Sequence, residues 1–242
     1  MKTPVLGKRV IFSCGGKGGV GKTGFMSVLT EWLKEQDTPH TLLDLDMENK
    51  NKGSLHHFFP AAQKVNVNTP AGLDAFVDLL DDEALVLLAD MGAGAGKVTH
   101  DWFDAMHDSV KRLGVAFTAI GIITDDPASV DSLLSWGAAL QDRVDYLVVE
   151  NAITAFAEFT YWRQSEQAAR FREIFRPTII AMGYRIQDLE TACRNHGVTL
   201  GQVSTRTTNA AELQRTSLVL RAQSYRSQLF MEIEKARDLL QP

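Results

Sequence analysis

The octet "GKGGVGKT", Gly16 to Thr23, carries the densest chemistry in the chain. It fits the pattern G-x-x-x-x-G-K-[ST] and stands between an apolar run, "RVIFSC" (9–14), and a helical periodicity that begins at Phe25. Glycine lets a backbone curl until successive N–H groups converge on phosphate oxygens, and the helix that follows adds partial positive charge. Gly16, Gly18, Gly19, Val20 and Gly21 therefore read as a phosphate cradle. Lys22 reads as the cation for β- and γ-phosphates, and Thr23 as a hydroxyl for Mg2+. One lysine suffices for such a cradle. A second, Lys17, five positions earlier, needs its own explanation, of which a solvated loop lysine is the plainest.

Three aspartates stand where apolar runs end. Asp44 and Asp46 flank Leu45 at the close of "TLLDL" (41–45) and share a face of an extended chain. They read as acids beside the metal and the phosphates, or as a pair of loop-capping acids. Asp90 ends "VLLAD" (86–90), and because Mg2+ takes few carboxylates and keeps several waters, it is expected to hold the ion through water. Gly92, Gly94 and Gly96 behind it suit a mobile loop whose backbone amide reaches a terminal phosphate. A plain strand-to-helix turn is the alternative.

These residues need elements to position them. Short apolar runs at 9–14, 41–45, 84–90, 115–124, 146–151 and 178–182 suit strands buried on both faces, as in a parallel sheet. Phe25, Val28, Leu29, Trp32 and Leu33 recur at i, i+3, i+4, i+7 and i+8, the apolar face of a helix. Helical patterns follow at 70–80, 98–112, 127–141, 156–175 and 186–196, and from about 208 to Leu240. Alternation at this spacing predicts an α/β doubly wound fold, a mostly parallel sheet with helices on both faces and a helical C-terminus. No repeat, linker or low-complexity tract divides residues 1–242, so a single domain is expected. The loop and all three aspartates then fall at carboxyl ends of strands, where open α/β sheets bind ligands.

The octet with its extra lysine resembles the deviant Walker A box of the MinD/ParA group of P-loop ATPases. The resemblance follows the element order along the whole chain and is specific in the N-terminal half. It implies ATP and Mg2+ as ligands, slow hydrolysis, and an ATP-bound homodimer in which Lys17 crosses the two-fold axis to the partner's nucleotide. It implies that Asp46, 24 residues after Lys22, positions the attacking water, with Asp44 its companion near the metal. Met47 and Glu48 depart from the family's usual Pro and Gln there, and Asn51 matches an asparagine of the MinD switch. Gly24 stands where the family has a second Thr or Ser, a hydroxyl to the α-phosphate. Asn151, ending "YLVVEN", matches the residue that bonds the adenine edge, though such side chains also cap loops. "TDDPASVDSL" (124–133) resembles a loop near the dimer interface; Asp126 before Pro127 reads equally as a helix N-cap.

What such a switch drives has to come from the rest of the chain. With Lys+Arg 25 against Asp+Glu 30 the net charge is −5, so nucleic-acid binding would need a local patch. Between Arg163 and Arg226 there are ten arginines, no lysine and five acids. Arg206, Arg215, Arg221 and Arg226 are the candidates for non-specific DNA contacts of the ParA kind; solvated helix faces are the competing reading. The ending "SQLFMEIEKARDLLQP" mixes its charges, unlike the basic membrane helix that ends MinD-type proteins, so no membrane partner is expected. The beginning lacks the apolar run of a secretory signal, and Cys14 and Cys193 have no metal-type spacing, which together suggest a cytoplasmic protein. Cys14 reads as a small core residue, His56-His57 as a solvated loop, and Phe159, Tyr161 and Trp162 as packing on one helix.

The reading is an ATP-dependent dimerisation switch in DNA partitioning, positioning or conjugative transfer, similar to small plasmid members of the StbB, TraL and VirC types. A hydrolysis-stimulating protein partner goes with it. The alternatives are the same switch moving a protein cargo without DNA, or a metabolic P-loop ligase of the dethiobiotin-synthetase type. The last has no use for Lys17.

Overall fold

Strand β1 (Lys8–Cys14) is buried on both faces from Val10 onward, and the sheet is built outward from it. β2 (His40–Asp44), β3 (Gln63–Lys64) and β4 (Val86–Asp90) lie to one side; β5 (Val115–Ile123), β6 (Asp145–Asn151) and β7 (Thr178–Met182) lie to the other. The order is β3-β2-β4-β1-β5-β6-β7, and every pairing among the described residues is parallel. This computed structural model describes residues 7–47, 52–92 and 96–242. Glu48, Asn51 and Gly94, singled out above, lie outside those residues.

Parallel strands need crossovers, and helices supply them on both faces. Between strands run α1 (Lys22–Glu35), α2 (Leu55–Phe58), α3 (Pro70–Asp78), α4 (Gly96–Lys111), α5 (Pro127–Leu140), α6 (Thr160–Gln164) and α7 (Glu166–Phe175), and after β7 come α8 (Gln187–His196), α9 (Leu200–Ser204), α10 (Thr216–Glu234) and α11 (Arg237–Leu240). Successive strand residues point to opposite faces, so each central strand feeds two cores. Ile11, Val86 and Leu88 pack with Phe25, Leu29, Trp32 and Leu33 of α1 and with α8 to α11. Val10, Phe12, Leu87 and Ala89 pack on the other face with α3 to α7. The C-terminal turn straps the amino end of the sheet, where Thr118 Oγ1 donates to Leu239 O at 2.6 Å and Arg9 Nε to Gln241 O at 3.1 Å.

Three expectations need correction. The helix expected over 156–175 is two: Ser165 interrupts it by capping α7 with its hydroxyl. Phe159 is not helical but sits left-handed, φ 54°, at the N-cap of α6. His56 and His57 are not in a solvated loop; they belong to α2, where His56 Nδ1 pairs with Ala62 O at 2.8 Å. The short strand β3 and the short helix α9 are additions to the expected list.

The chain crosses from one side of the sheet to the other at β1, between β4 and β5. A crevice opens at that reversal beyond the strands' carboxyl ends. The glycine loop follows β1 into it.

Candidate nucleotide-binding site

The loop from Gly15 to Gly21 joins β1 to α1, and three of its glycines require glycine. Gly15, Gly19 and Gly21 have φ of 108°, 77° and 97°, in the left-handed region that side chains disfavour. Gly21 is also blocked sterically, since a Cβ there would stand 2.6 Å from Asn151 Nδ2. That amide donates to Val20 O at 2.8 Å and so anchors the loop to the end of β6. At the other end the Gly16 N–H donates to Ser132 Oγ of α5. The loop is held from both sides.

The two lysines diverge. Lys22, buried in the first turn of α1, turns back so that Nζ donates to Lys17 O at 2.9 Å. The Lys17 side chain points the other way and stays 43% exposed, its Nζ 3.0 Å from Asp126 Oδ2. Asp126 meanwhile caps α5, accepting from the Ala128 N–H at 2.9 Å with Pro127 behind it, as expected. Its neighbour Asp125 takes another task and accepts from the N–H groups of Glu158 and Phe159.

Behind Lys22 lies a buried polar chain. Thr23 Oγ1 donates to Asp90 Oδ2 at 2.6 Å, Ser13 Oγ donates to Asp90 Oδ1 at 2.9 Å, and the Met91 N–H donates to Ser13 Oγ at 2.8 Å. Asp46 is buried close by, and Gly92 approaches it so nearly that an added Cβ would stand 2.8 Å from Asp46 Oδ1. The loops after β2 and β4 therefore meet at these two residues. Asp44 is fully buried and accepts from the N–H groups of Asp46 at 3.1 Å and His56 at 3.0 Å, so in this structure it organises the loop after β2.

A cavity of about 380 Å³ opens over the loop. Gly18 to Gly24, Ser27 and Glu31 line it, together with Asp46, Gly53, Met91, Arg185 and Cys193. Its size lies within the range of about 300–1,000 Å³ usual for ligand pockets. The donor set fits a polyphosphate with a divalent cation: a cradle of backbone N–H groups, one buried ammonium, and a Thr hydroxyl beside a buried carboxylate. Ser27 Oγ is buried there without a hydrogen-bond partner among the described residues.

No protein-family model matches the chain, and no curated protein matches its sequence. Solved structures do match. The septum site-determining protein MinD of Pyrococcus horikoshii, solved with Mg-ADP, aligns over 96% of this chain and 98% of its own, at 15% identity and a TM-score of 0.56. The chain has the MinD fold. MinD of Aquifex aeolicus aligns over 89% and 95% of the two chains at 15% identity and a TM-score of 0.48. A putative plasmid partition protein of Borrelia burgdorferi, bound to AMPPNP, aligns over 90% and 98% at 12% identity and 0.45.

On this MinD fold, burial shapes the electrostatics of the site. Burial pushes the Asp90 carboxyl up to about 6, against the lowering effect of the Thr23 and Ser13 hydroxyls. It pushes Lys22 down, while the carboxylates of Asp90 and Asp46 act to keep it charged. The Cys14 thiol is raised to about 12 by burial, which makes it a core residue and no thiolate. Among the described residues no three metal-ligating side chains cluster, and no helix is long and apolar enough to cross a membrane.

The arginine candidates separate. Arg215 and Arg221 are exposed. Arg206 is exposed too but donates to Gln214 O at 3.0 Å and Thr216 Oγ1 at 3.1 Å. Arg226 departs from the expected surface cation: it pairs with Glu31 at 3.2 Å and with Glu35, and covers the Phe230 ring at 4.2 Å. Ser13, Ser132 and Arg185 are site residues that sequence reasoning passed over. Ser13 lies one residue before Cys14 on a strand already known to feed the loop, which was the available signal. Ser132 and Arg185 had none, because their approach depends on how α5 and the loop after β7 pack.

Proposed function

We propose that the chain is an ATP-dependent dimerisation switch with slow, partner-stimulated hydrolysis, working in the partitioning, positioning or conjugative transfer of DNA. The observation that carries this reading is the divergence of the two lysines from one loop. Lys22 is turned inward beside Asp46 and Asp90. Lys17 is outside the cavity lining and, among the described residues, its side chain is held by an exposed pair with Asp126.

ATP with Mg2+ supplies the phosphoanhydride bond whose cleavage resets such a switch. The chain's own residues do the remaining work. The loop N–H groups and Lys22 hold the polyphosphate, Thr23 and Asp90 place the cation, and Asp46 orients a water for attack. Gly92, packed on Asp46, brings the loop after β4 to the same point. In the ATP state Lys17 leaves Asp126 for the nucleotide of the facing protomer. An exposed ion pair is worth about 0–1 kcal/mol. A charge-assisted hydrogen bond in a closed site is worth about 1.5–3 kcal/mol, so the exchange favours closure. Two-fold symmetry counts that gain twice. Two such bonds total about 3–6 kcal/mol, near the ~5.5 kcal/mol that moves an equilibrium from 1:99 to 99:1.

A second reading, the same switch carrying a protein cargo without DNA, is favoured by the internal pairing of Arg226, which leaves the C-terminal helices less cationic than their sequence suggests. The metabolic-ligase reading leaves Lys17 without a role. The test is light-scattering mass of Asp46→Ala on a sizing column with Mg-ATP and with Mg-ADP. A dimer with ATP and a monomer with ADP are expected. A monomer with both, despite measured ATP binding, would overturn the switch.

A further inference from the structure

Position 24 has no side chain, and an arginine from elsewhere stands over it. Gly24 lies in the first turn of α1, directly after Lys22 and Thr23. A Cβ built there would come within 3.2 Å of Arg185 Nη2 and 3.9 Å of Nη1. Arg185 comes from the loop between β7 and α8 and lines the same cavity as the glycine loop.

The arginine is unusual in two ways. Its side chain is only 10% exposed, yet among the described residues its guanidinium makes no hydrogen bond. The nearest carboxylate, Glu190 Oε1, is 3.6 Å away, and the guanidinium lies over the Tyr225 ring at 5.2 Å. A cation so buried has lost much of its water in exchange for an ion pair longer than a hydrogen bond to a half-exposed carboxylate, which leaves its N–H groups open to a ligand's oxygens. Two polar atoms nearby have no partner among the described residues: Ser27 Oγ, one helical turn beyond Gly24, and Tyr225 Oη, both buried.

Sheet order sets which part of a ligand the arginine would meet. Asp90 and Asp46, the cation end of the site, follow β4 and β2 on one side of β1. Arg185 follows β7, at the far edge on the other side. A nucleotide laid across the loop with its terminal phosphate toward Asp46 and Asp90 directs its nucleoside end toward β7. The phosphate nearest the ribose then passes over Gly24. We propose that Arg185 binds the nucleoside-proximal phosphate of the nucleotide, in the space that Gly24 leaves open. This rests on the nucleotide-site reading above and names a further binding residue for it. The absent side chain at 24 and the arginine are one device: a hydroxyl-bearing residue there would press on the guanidinium, and the guanidinium does the work that a hydroxyl there would do.

Both nucleotides share that phosphate, so the effect should not discriminate between them. The experiment is equilibrium titration of fluorescent ADP and ATP analogues, with Mg2+, into wild type, Arg185→Ala, Gly24→Ser and the double variant, with melting temperatures recorded without nucleotide. Arg185→Ala should weaken both nucleotides by tenfold or more, within twofold of each other, and Gly24→Ser in that background should recover a substantial part of the loss. A structural role for the arginine would not be rescued by a hydroxyl at position 24. Wild-type binding with an unchanged affinity in Arg185→Ala, or a loss that Gly24→Ser does not repair, would overturn the assignment of Arg185 alone. No nucleotide binding by the folded wild type would overturn the nucleotide-site reading itself.

Discussion

Burial makes the Asp90 carboxylate costly to ionise even though Ser13 and Thr23 donate to it, and that sets a pH response. The pKa of Asp90 is raised from 3.8 to about 6 in the fold, above its unfolded value. The folded chain therefore holds an extra proton between those values, and the stability owed to this group rises as pH falls through that window. Melting temperatures of wild type and Asp90→Asn, without Mg2+ or nucleotide, should show the wild type gaining on the variant from pH 7 to pH 5. A constant difference, or one moving the other way, would contradict a buried, disfavoured carboxylate. On the rim, Asp126 both caps α5 and holds Lys17. Asp126→Asn keeps an acceptor for the cap while removing the charge, so ATP-induced dimerisation should occur at lower protein concentration with little change in melting temperature. Dimerisation that becomes harder would show that the pair assists closure rather than opposing it.

Elements bring these residues together, and the close contact of Gly92 with Asp46 ties two of them. Gly92→Ala would place a methyl 2.8 Å from Asp46 Oδ1 and 3.2 Å from its Cα. ATP turnover should fall tenfold or more while nucleotide affinity changes less, which single-turnover and binding measurements separate; equal losses in both would contradict a role confined to the attacking water. Helix α1 carries the loop on a deeply packed face, and Trp32 is 1% exposed there beneath Arg237. Trp32→Ala should cost about 3–5 kcal/mol in denaturant unfolding, as large-to-small core changes do. The elements most legible in the sequence were those with strong burial. Six strands announced themselves through continuous apolar runs, even β7, where Ile179 and Ala181 are exposed, whereas β3 is two exposed residues, Gln63 and Lys64, with no hydrophobic signal to give. The break at Ser165 and the capping box Thr199–Gln202 of α9 were written in the chain, but longer apolar periodicities around them dominated the pattern. In the site, the loop, Thr23 and Asp90 could be placed from spacing. Arg185 and Ser132 could not, since each reaches the loop through tertiary packing between elements far apart in sequence.

For the whole molecule, charge decides what an ATP-bound dimer could hold. The net charge of −5 opposes DNA overall, so any DNA contact must be local. If Arg215 and Arg221 touch phosphates, replacing either with Ala should reduce the salt slope of DNA binding by about 1. Arg226→Ala should leave that slope alone and instead cost about 1–3 kcal/mol of stability, because Glu31 and Glu35 lose their shared partner. A slope that falls for Arg226→Ala would place DNA on a surface this structure shows as internally paired. The central claim, that one lysine serves its own nucleotide and the other the neighbour's, is tested most directly by mixing two variants. Lys17→Ala keeps its own phosphate lysine but has nothing to offer a partner; Lys22→Ala has lost its own site yet retains Lys17. Each alone should hydrolyse ATP poorly, and an equimolar mixture should recover activity well above the sum of the two. A mixture no more active than its parts, with mixed dimers demonstrated by mass, would mean that Lys17 works within its own subunit.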